Sequence, residues 1–318
     1  MHLLNKKEND LYNEKVKQEI KRLANLGYAS RSIADQLGVS KSGVNYLLAL
    51  ESTEAVEPTK EPRVLVLDIE TAAAVALTFG RFKINLGQEN IVSEGGWMIC
   101  ASWRWLGEEK VHSIQLTEDE VLSCDDSRIV ATFWELYEEA DAIVAHNSLQ
   151  FDHKVIQARA AFNGFPPLPT VKVLDTLVLA KKHLRLPSNK LDSIGEYFGL
   201  GRKIDNGGIS LWKRVQAGDQ AAMKEMVDYC KQDTELLTQV YLQLRAIGHA
   251  GSDFNAALYY NDEKTRCRRC GSEHVHPTGR TSNTGLSVFN EFRCDDCGAV
   301  QRDRVSTTKK SKRAELLT

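Results

Sequence analysis

An aliphatic run at residues 64–69 carries two carboxylates at its end, Asp68 and Glu70, spaced two residues apart. A dense β-branched and aliphatic run of this length predicts a buried β-strand. Residues i and i+2 of a strand point to the same face, so the two carboxylates lie side by side. Like charges in a half-buried place repel each other unless a cation joins them. The pair therefore predicts a site for a hard divalent cation, Mg²⁺ or Mn²⁺, with a solvated strand end as the simpler alternative.

Two further segments supply acidic side chains. Asn147 follows a predicted strand at residues 142–145, and Asp152 begins the next predicted helix. Taken alone, Asp152 also fits a helix N-terminal charge that complements the helix dipole. Tyr229 and Asp233 are one turn apart on one face of a predicted helix. Together with the strand pair, these segments bring four carboxylates and one phenol to a single candidate site.

Strands and helices alternate along the central region. The predicted strands are residues 64–69, 97–106, 111–116, 142–145 and 171–173. The predicted helices are residues 128–139, 151–162, 190–198, 211–216, 220–230 and 234–247. Strands come first, then alternate with helices, and helices follow at the end. This order predicts an α/β domain with a mixed sheet flanked by helices. We assign this domain to residues 63–250.

The first 50 residues predict a small all-α domain. Three short apolar stripes within residues 13–49 predict three helices, and Gly38 supplies a tight turn between the last two. This pattern resembles the helix-turn-helix domains of the resolvase and homeodomain-like kind, whose last helix meets phosphates and base edges. The residues expected to do so here are Lys41, Ser42 and Asn45. A plain three-helix bundle used for protein contacts is the alternative.

Four of the seven cysteines form two C-x-x-C pairs near the C-terminus. The pairs are Cys267 with Cys270, and Cys294 with Cys297. Two such pairs, each followed by a glycine, predict a structural tetrahedral Zn²⁺ site. Residues 258–305 resemble a zinc ribbon, and residues 306–318 form a basic tail. Both can follow a phosphate backbone; protein binding by the ribbon and disorder of the tail are the alternatives.

Charge and hydropathy argue against a membrane protein. No stretch approaches the ~20 apolar residues of a membrane span, and the first residues lack the apolar core of a signal peptide. The net charge is −2, yet Lys and Arg outnumber Asp and Glu in the first 50 residues and again from residue 261 onward. Basic ends suggest two polyanion-binding modules, with scattered solvated charges as the alternative. Polar residues 51–62 predict a linker, and we expect a cytoplasmic protein.

In order and spacing, the three acidic segments resemble the Exo I, Exo II and Exo III motifs of the DEDD (DnaQ-like) 3′–5′ exonucleases. These enzymes share the ribonuclease H-like fold with the proofreading domains of DNA polymerases. Tyr229 stands where other members have histidine, which would place the chain in the tyrosine subclass. Residues 174–176, 190–194 and 197–200 are similar to mid-domain segments of the same enzymes, and residues 78–105 resemble phage-encoded members.

The resemblance implies a mechanism with two Mg²⁺ or Mn²⁺ ions. Asp68 would bridge both ions, while Glu70 and Asp233 would complete the shell of one of them. Asp152 would hold the other ion through water, and Tyr229 would orient the attacking water through its hydroxyl. The expected substrate contacts in this domain are Asn147, as a hydrogen-bonding partner of the terminal nucleotide, and Phe151.

The predicted function is metal-dependent hydrolysis of DNA phosphodiester bonds from single-stranded 3′ ends, in replication, proofreading or repair. DNA is favoured over RNA, and a separate polymerase or replication protein is a candidate partner. Host cytoplasm is the expected location if a phage encodes the chain. A structure-selective endonuclease is the alternative enzyme, because the same fold supports internal cuts with similar carboxylates. A DNA-binding regulator, with the nuclease domain as a scaffold, is the alternative from another class.

Overall fold

The computed structural model describes residues 14–25, 28–51, 61–80, 82–202, 207–248 and 254–316. Contacts divide the chain into an N-terminal unit, Met1–Thr59, and a second unit, Lys60–Thr318. Nearly all of the predicted linker lies outside the described residues. Among the helices that the structure describes, none is long and apolar enough to cross a membrane.

Three helices form the described part of the N-terminal unit: α1 (Glu14–Asn25), α2 (Ser30–Leu37) and α3 (Lys41–Glu51). The buried apolar side chains between them are Ile20, Leu23, Ile33, Ala34 and Val44. The turn before α3 depends on Gly38, whose φ of 63° lies in the left-handed region that side chains disfavour. Ser40 caps α3 by accepting a backbone N–H from its first turn at 3.0 Å.

The residues of α3 that we expect to meet DNA are all exposed. They are Lys41, Ser42 and Asn45. Their side chains therefore remain accessible on one short helix, as a recognition helix requires. DNA binding by this unit stays a prediction.

The second unit is an α/β domain followed by a small β-sheet. Its strands are β1 (Val64–Thr71), β2 (Val75–Ala76), β3 (Ile91–Ser93), β4 (Met98–Trp105), β5 (His112–Gln115), β6 (Ala142–Ala145), β7 (Lys172–Asp175), β8 (Val275–Thr284), β9 (Ser287–Cys294) and β10 (Val300–Arg302). Its helices are α4 (Glu118–Ser123), α5 (Ser127–Glu139), α6 (Asp152–Phe162), α7 (Thr176–His183), α8 (Leu191–Tyr197), α9 (Ile209–Gln216), α10 (Gln220–Leu244) and α11 (Lys310–Ala314). The sequence did not predict α4 or the short β2–β3 pair.

The main sheet has five strands in the order β5-β4-β1-β6-β7. The central strand β1 is antiparallel to β4 and parallel to β6, and β6 is parallel to β7. Strand β6 is buried along its whole length because helices cover both faces, whereas the edge strand β5 is only half-buried. This mixed sheet with flanking helices confirms the predicted fold class.

Alternate residues of β1 enter different hydrophobic cores. Leu65 and Leu67 pack in a core that contains side chains of α5, α6 and α9. Val64 and Val66 pack in a second core, with α7, α8 and the C-terminal half of α10. By the two-residue period of a strand, the carboxylates at the end of β1 continue the row of Val64 and Val66. Both therefore lie on the face that α10 covers.

Helix α10 runs unbroken for 25 residues, whereas the sequence predicted two helices at residues 220–230 and 234–247. The predicted break was wrong, and the buried polar residues of the segment explain why. Thr234 is fully buried, and its hydroxyl lies 2.6 Å from the hydroxyl of Ser102 on β4. Thr238 donates its hydroxyl to the Thr234 carbonyl at 2.8 Å. With these two hydroxyls satisfied, the helix continues through the core.

Strands β8, β9 and β10 form an antiparallel sheet in the order β10-β9-β8. Only Cys267, Cys294 and Ala299 are buried in its small core. A core of this size provides little hydrophobic stabilisation. The two C-x-x-C pairs lie at one end of this sheet, which is compatible with the predicted zinc ribbon.

Candidate metal centres

Three of the predicted carboxylates meet at the end of β1. Oxygen atoms of Asp68, Glu70 and Asp233 all lie within 4.8 Å of one another. Asp68 and Glu70 are half-buried, and Asp233 on α10 is only 1 % exposed. Their spacing suits one or two hard divalent cations, which favour carboxylate oxygen. The strand period places Asp68 and Glu70 on one face, and the packing of α10 on β1 brings Asp233 to them.

Asp152 lies beside this cluster without belonging to the group of three. It begins α6 and is 2 % exposed. Burial raises its pKa well above the ordinary value, and the nearby charge of Asp68 raises it further. A backbone hydrogen bond from Ile69 acts in the opposite direction. A cation between Asp152 and Asp68 would offset their repulsion, so the four carboxylates are compatible with more than one ion.

Tyr229 lies one turn before Asp233 on α10 and is half-buried. The helical period puts its ring on the same side of α10 as that carboxylate. A phenol at this place can donate one hydrogen bond and accept others, which suits the orientation of a water molecule near the cluster.

Cys230 hydrogen-bonds a carboxylate of the acidic cluster, a contact that the sequence did not predict. Its Sγ atom lies 3.5 Å from Oδ2 of Asp68. Burial raises the pKa of this thiol well above its ordinary value, and a hydrogen bond with Cys100 adds to the effect. The thiol therefore stays protonated and donates to the Asp68 carboxylate. The packing of α10 against β1 and β4 brings these groups together, so no local sequence signal identifies the contact.

A buried carboxylate, Asp175, holds the turn that leads into α6. It accepts the backbone N–H groups of Asn147 at 3.0 Å and Leu149 at 3.1 Å. It also caps α7 by accepting the N–H of Leu177 at 2.9 Å. Asn147 has a φ of 70°, so the turn keeps this residue in the left-handed region. Asp175 thus fixes the direction of the chain as it approaches Asp152.

Asn147 lines a cleft of about 580 Å³ beside this turn. Lys181 and Lys190 also line it, and the sequence had not marked either side chain as a substrate contact. His146 donates its Nε2–H to the Asn189 carbonyl at 3.0 Å, and its Nδ1 atom lies 2.9 Å from the Thr176 hydroxyl, so its ring has a structural role. The other residues of the cleft are Leu177, Leu191 and Asp192.

Phe151 does not line that cleft. It precedes α6 and is 38 % exposed. The structure therefore separates the two expected substrate contacts of this domain: Asn147 faces the cleft, and Phe151 lies at the surface beside Asp152.

All four cysteines of the C-x-x-C pairs converge on one point. The Sγ atoms of Cys267 and Cys297 are 3.6 Å apart, and those of Cys270 and Cys294 are 3.7 Å apart. A tetrahedron with Zn–S bonds of ~2.3 Å has S···S edges of about 3.8 Å. The separations are far longer than the ~2.05 Å of a disulfide bond. The donor set and its dimensions therefore fit a tetrahedral zinc ion.

The glycines after each pair form the turns that aim the thiolates. Gly271 and Gly298 have φ values of 78° and 75°, which only glycine adopts without strain. The two nearby histidines have acidic partners instead of sulfur neighbours: His274 lies 3.2 Å from Asp296, and His276 lies 3.0 Å from Asp295. Four cysteines complete the site without either histidine.

Comparison with known proteins gives a match for the central domain. Residues 98–245, slightly less than half of the chain, match the family RNase_H_2, described as RNase_H superfamily. No curated protein matches the sequence. The solved family B DNA polymerase of the hyperthermophilic archaeon Pyrobaculum calidifontis is similar at 16 % identity, over 58 % of this chain and 25 % of that chain, with a TM-score of 0.40. This chain spans about a quarter of that polymerase. The sheet order and the family match identify the central domain as ribonuclease H-like.

Proposed function

We propose that this protein is a nuclease that hydrolyses phosphodiester bonds of DNA from a 3′ end and depends on divalent metal ions. The observation that carries the proposal is the meeting of Asp68, Glu70 and Asp233 within 4.8 Å on a ribonuclease H-like domain, with Asp152 beside them. The chemistry that Mg²⁺ or Mn²⁺ supplies in such a site is activation of water and stabilisation of the leaving oxygen.

The residues of the chain have distinct tasks in this proposal. Asp68, a member of the group of three whose charge also acts on Asp152, would hold the divalent ions together with Glu70 and Asp233. The Tyr229 hydroxyl orients the attacking water. Asn147 hydrogen-bonds the terminal nucleotide in the cleft beside its turn, and Phe151 stacks on a neighbouring base.

The N-terminal unit and the ribbon bind DNA in this proposal. Exposed polar residues on α3 contact the duplex, and basic residues of the ribbon and the tail follow the phosphate backbone. The zinc ion is structural. DNA is favoured over RNA, and a polymerase or replication protein is the expected partner.

Single-stranded DNA in linear and circular form tests the proposal. With Mg²⁺ or Mn²⁺, a linear strand labelled at its 5′ end should shorten stepwise, and a label at the 3′ end should be released at once as a mononucleotide. Release of a 5′-terminal label first would contradict the proposed polarity. Cutting of the closed circle would favour the endonuclease alternative. If neither substrate is cut, a DNA-binding regulator becomes the better description.

Tyr229→Phe is expected to lower kcat by about 10²-fold, because it removes the group that orients water and keeps the ring. Single-turnover rates at saturating metal provide the measurement, and the metal concentration for half-maximal rate should not change. Tyr197→Phe is the matched control, since Tyr197 is 61 % exposed at the end of α8. Equal rates for Tyr229→Phe and the wild type would remove the hydroxyl from the mechanism.

A further inference from the structure

A second cleft, of about 400 Å³, lies at the far end of the sheet from the acidic cluster. It opens where the start of β1, the end of β4, the end of α10 and the first cysteine turn of the ribbon meet. Three arginines line it: Arg104 from β4, Arg245 from the end of α10 and Arg269 from between Cys267 and Cys270. Tyr241 and Tyr260 form part of its wall. We call it the arginine cleft.

In two of these arginines, one guanidinium nitrogen is buried without an acceptor. The Nε atoms of Arg104 and Arg245 are inaccessible to solvent, and neither has a hydrogen-bond partner within the described residues. Elsewhere in the second unit a buried guanidinium has a carboxylate: Arg159 donates to Asp126 at 2.7 Å. Leaving the donor of a charged group unsatisfied is unfavourable. Two such donors belong to arginines that line one cleft together with Arg269, which makes the cleft a candidate anion site.

The carboxylates around the arginine cleft do not serve as that anion. Glu61, Glu108 and Glu109 line its mouth and are exposed. Among the described residues, no ion pair joins any of them to the three arginines. Arg104 donates through Nη2 to the backbone carbonyl of Glu108, whose carboxylate lies 3.8 Å from His112 instead. The positive charge of the cleft is therefore available to a ligand.

Guanidinium groups bind phosphate with paired hydrogen bonds, and they do so better than lysine because of their planar fork. We propose that the arginine cleft binds a backbone phosphate of the same strand whose end enters the acidic cluster. This inference rests on the proposed function. It adds a second contact between protein and strand, which sets the length of strand that the protein binds. The ribbon then acts as one wall of a nucleic-acid site, with Arg269 as its contribution.

The distance between the two sites sets the expected length. Arg104 is paired with Val66 and Cys100 with Glu70, which separates Arg104 from the level of Glu70 by ~13 Å along the strands. Arg245 follows Asp233 by about three turns, or ~18 Å along α10. At the ~3.4 Å per nucleotide of a stacked, duplex-like strand, these distances correspond to about four to five nucleotides. Much shorter strands, such as trinucleotides, should not reach both sites.

Binding of single-stranded oligonucleotides of increasing length tests this inference with the full chain. Fluorescence anisotropy with Ca²⁺ in place of Mg²⁺ measures affinity over a range of salt concentrations. Arg245→Gln should weaken binding of strands of about eight nucleotides or more by about tenfold, and should leave trinucleotides unchanged. The slope of log affinity against log salt should fall by about 0.7 for the lost phosphate contact. Arg245→Lys should retain most of that slope, because it keeps the charge.

Two controls separate this effect from a general loss of charge or of folding. Arg202→Gln removes an arginine whose side chain is 74 % exposed outside the cleft, and it should bind every length as the wild type does. Arg104→Gln should repeat the length-dependent loss. Arg245→Gln should not lower Tm, since it removes a buried donor without an acceptor. If Arg245→Gln does lower Tm, the length dependence of DNA binding by Arg104→Gln decides whether the inference holds.

Wild-type affinity and slope in both cleft variants at every length would overturn the inference. Loss of binding for a free nucleoside monophosphate alone, with strand binding unchanged, would identify a nucleotide pocket and would overturn it as well. Failure of the proposed function gives a different result, because the wild-type protein would then cut neither linear nor circular DNA. The binding measurement needs no turnover, so the two failures are distinguishable.

Discussion

Asp68→Asn is expected to lower the rate of DNA hydrolysis by about 10³-fold or more while the fold stays intact. The substitution keeps the shape of the side chain and removes one negative charge. Asp68 is one of the group of three, and its charge also acts on Asp152, so its loss affects every acidic residue of the site. Single-turnover assays at saturating Mg²⁺ or Mn²⁺ measure the effect without interference from product release.

The same substitution should change stability with opposite signs in the absence and presence of divalent metal. In the absence of divalent metal, the charge of Asp68 raises the pKa of the buried Asp152, because the two carboxylates repel each other. Removing that charge should raise the free energy of unfolding by about 1 kcal/mol. With Mg²⁺ present, the wild type gains stability by binding the ion, and Asp68→Asn gains much less. Thermal unfolding in buffers with and without Mg²⁺ measures both effects.

Asp228→Asn provides the matched control for Asp68→Asn. Asp228 is exposed on α10, close in sequence to the cluster and on a different side of the helix. Its substitution should change neither the rate nor the metal-induced rise in Tm. Wild-type activity in Asp68→Asn would remove Asp68 from the site, and an unchanged metal-induced rise in Tm would remove it from the metal shell.

The parts of the site that the sequence predicted depend on local periodicity. Asp68 and Glu70 share a face because a strand repeats every two residues, and Tyr229 and Asp233 share a side because a helix returns after about four. These relations hold whatever the rest of the chain does. The fold class followed in the same way, from the order of strands and helices.

The remaining features depend on contacts between distant segments. The sequence predicted separate helices at residues 220–230 and 234–247, but α10 continues through Thr234, whose hydroxyl lies 2.6 Å from that of Ser102. The Asn147 turn is held by Asp175, which lies on another strand. Arg104 and Arg245 converge only after the sheet and α10 have packed. The sequence pattern within a short window carries no information about such contacts, because the two residues in contact lie far apart in the sequence.

Zinc removal is expected to unfold the ribbon and leave the ribonuclease H-like domain folded. Binding of structural zinc contributes on the order of 10–16 kcal/mol to small domains of this kind. The described ribbon has little else to stabilise it, since its buried core is two cysteines and one alanine. A zinc-selective chelator should therefore abolish amide protection in β8 and β9 and leave protection in β1 and β6. Hydrogen exchange and elemental analysis of bound zinc provide the two measurements.

Cys294→Ser should reproduce the effect of the chelator without any added reagent. Cys294 is fully buried, and its sulfur lies 3.7 Å from that of Cys270, so a serine at this position leaves three thiolates and an open place in the zinc shell. Cys124→Ser is the control, because Cys124 is exposed and lies outside the cysteine group. One zinc ion per chain and a protected ribbon in Cys294→Ser would contradict the four-cysteine site. Because Arg269 lies between two of the zinc ligands, unfolding of the ribbon should also weaken binding of long strands while trinucleotide binding persists.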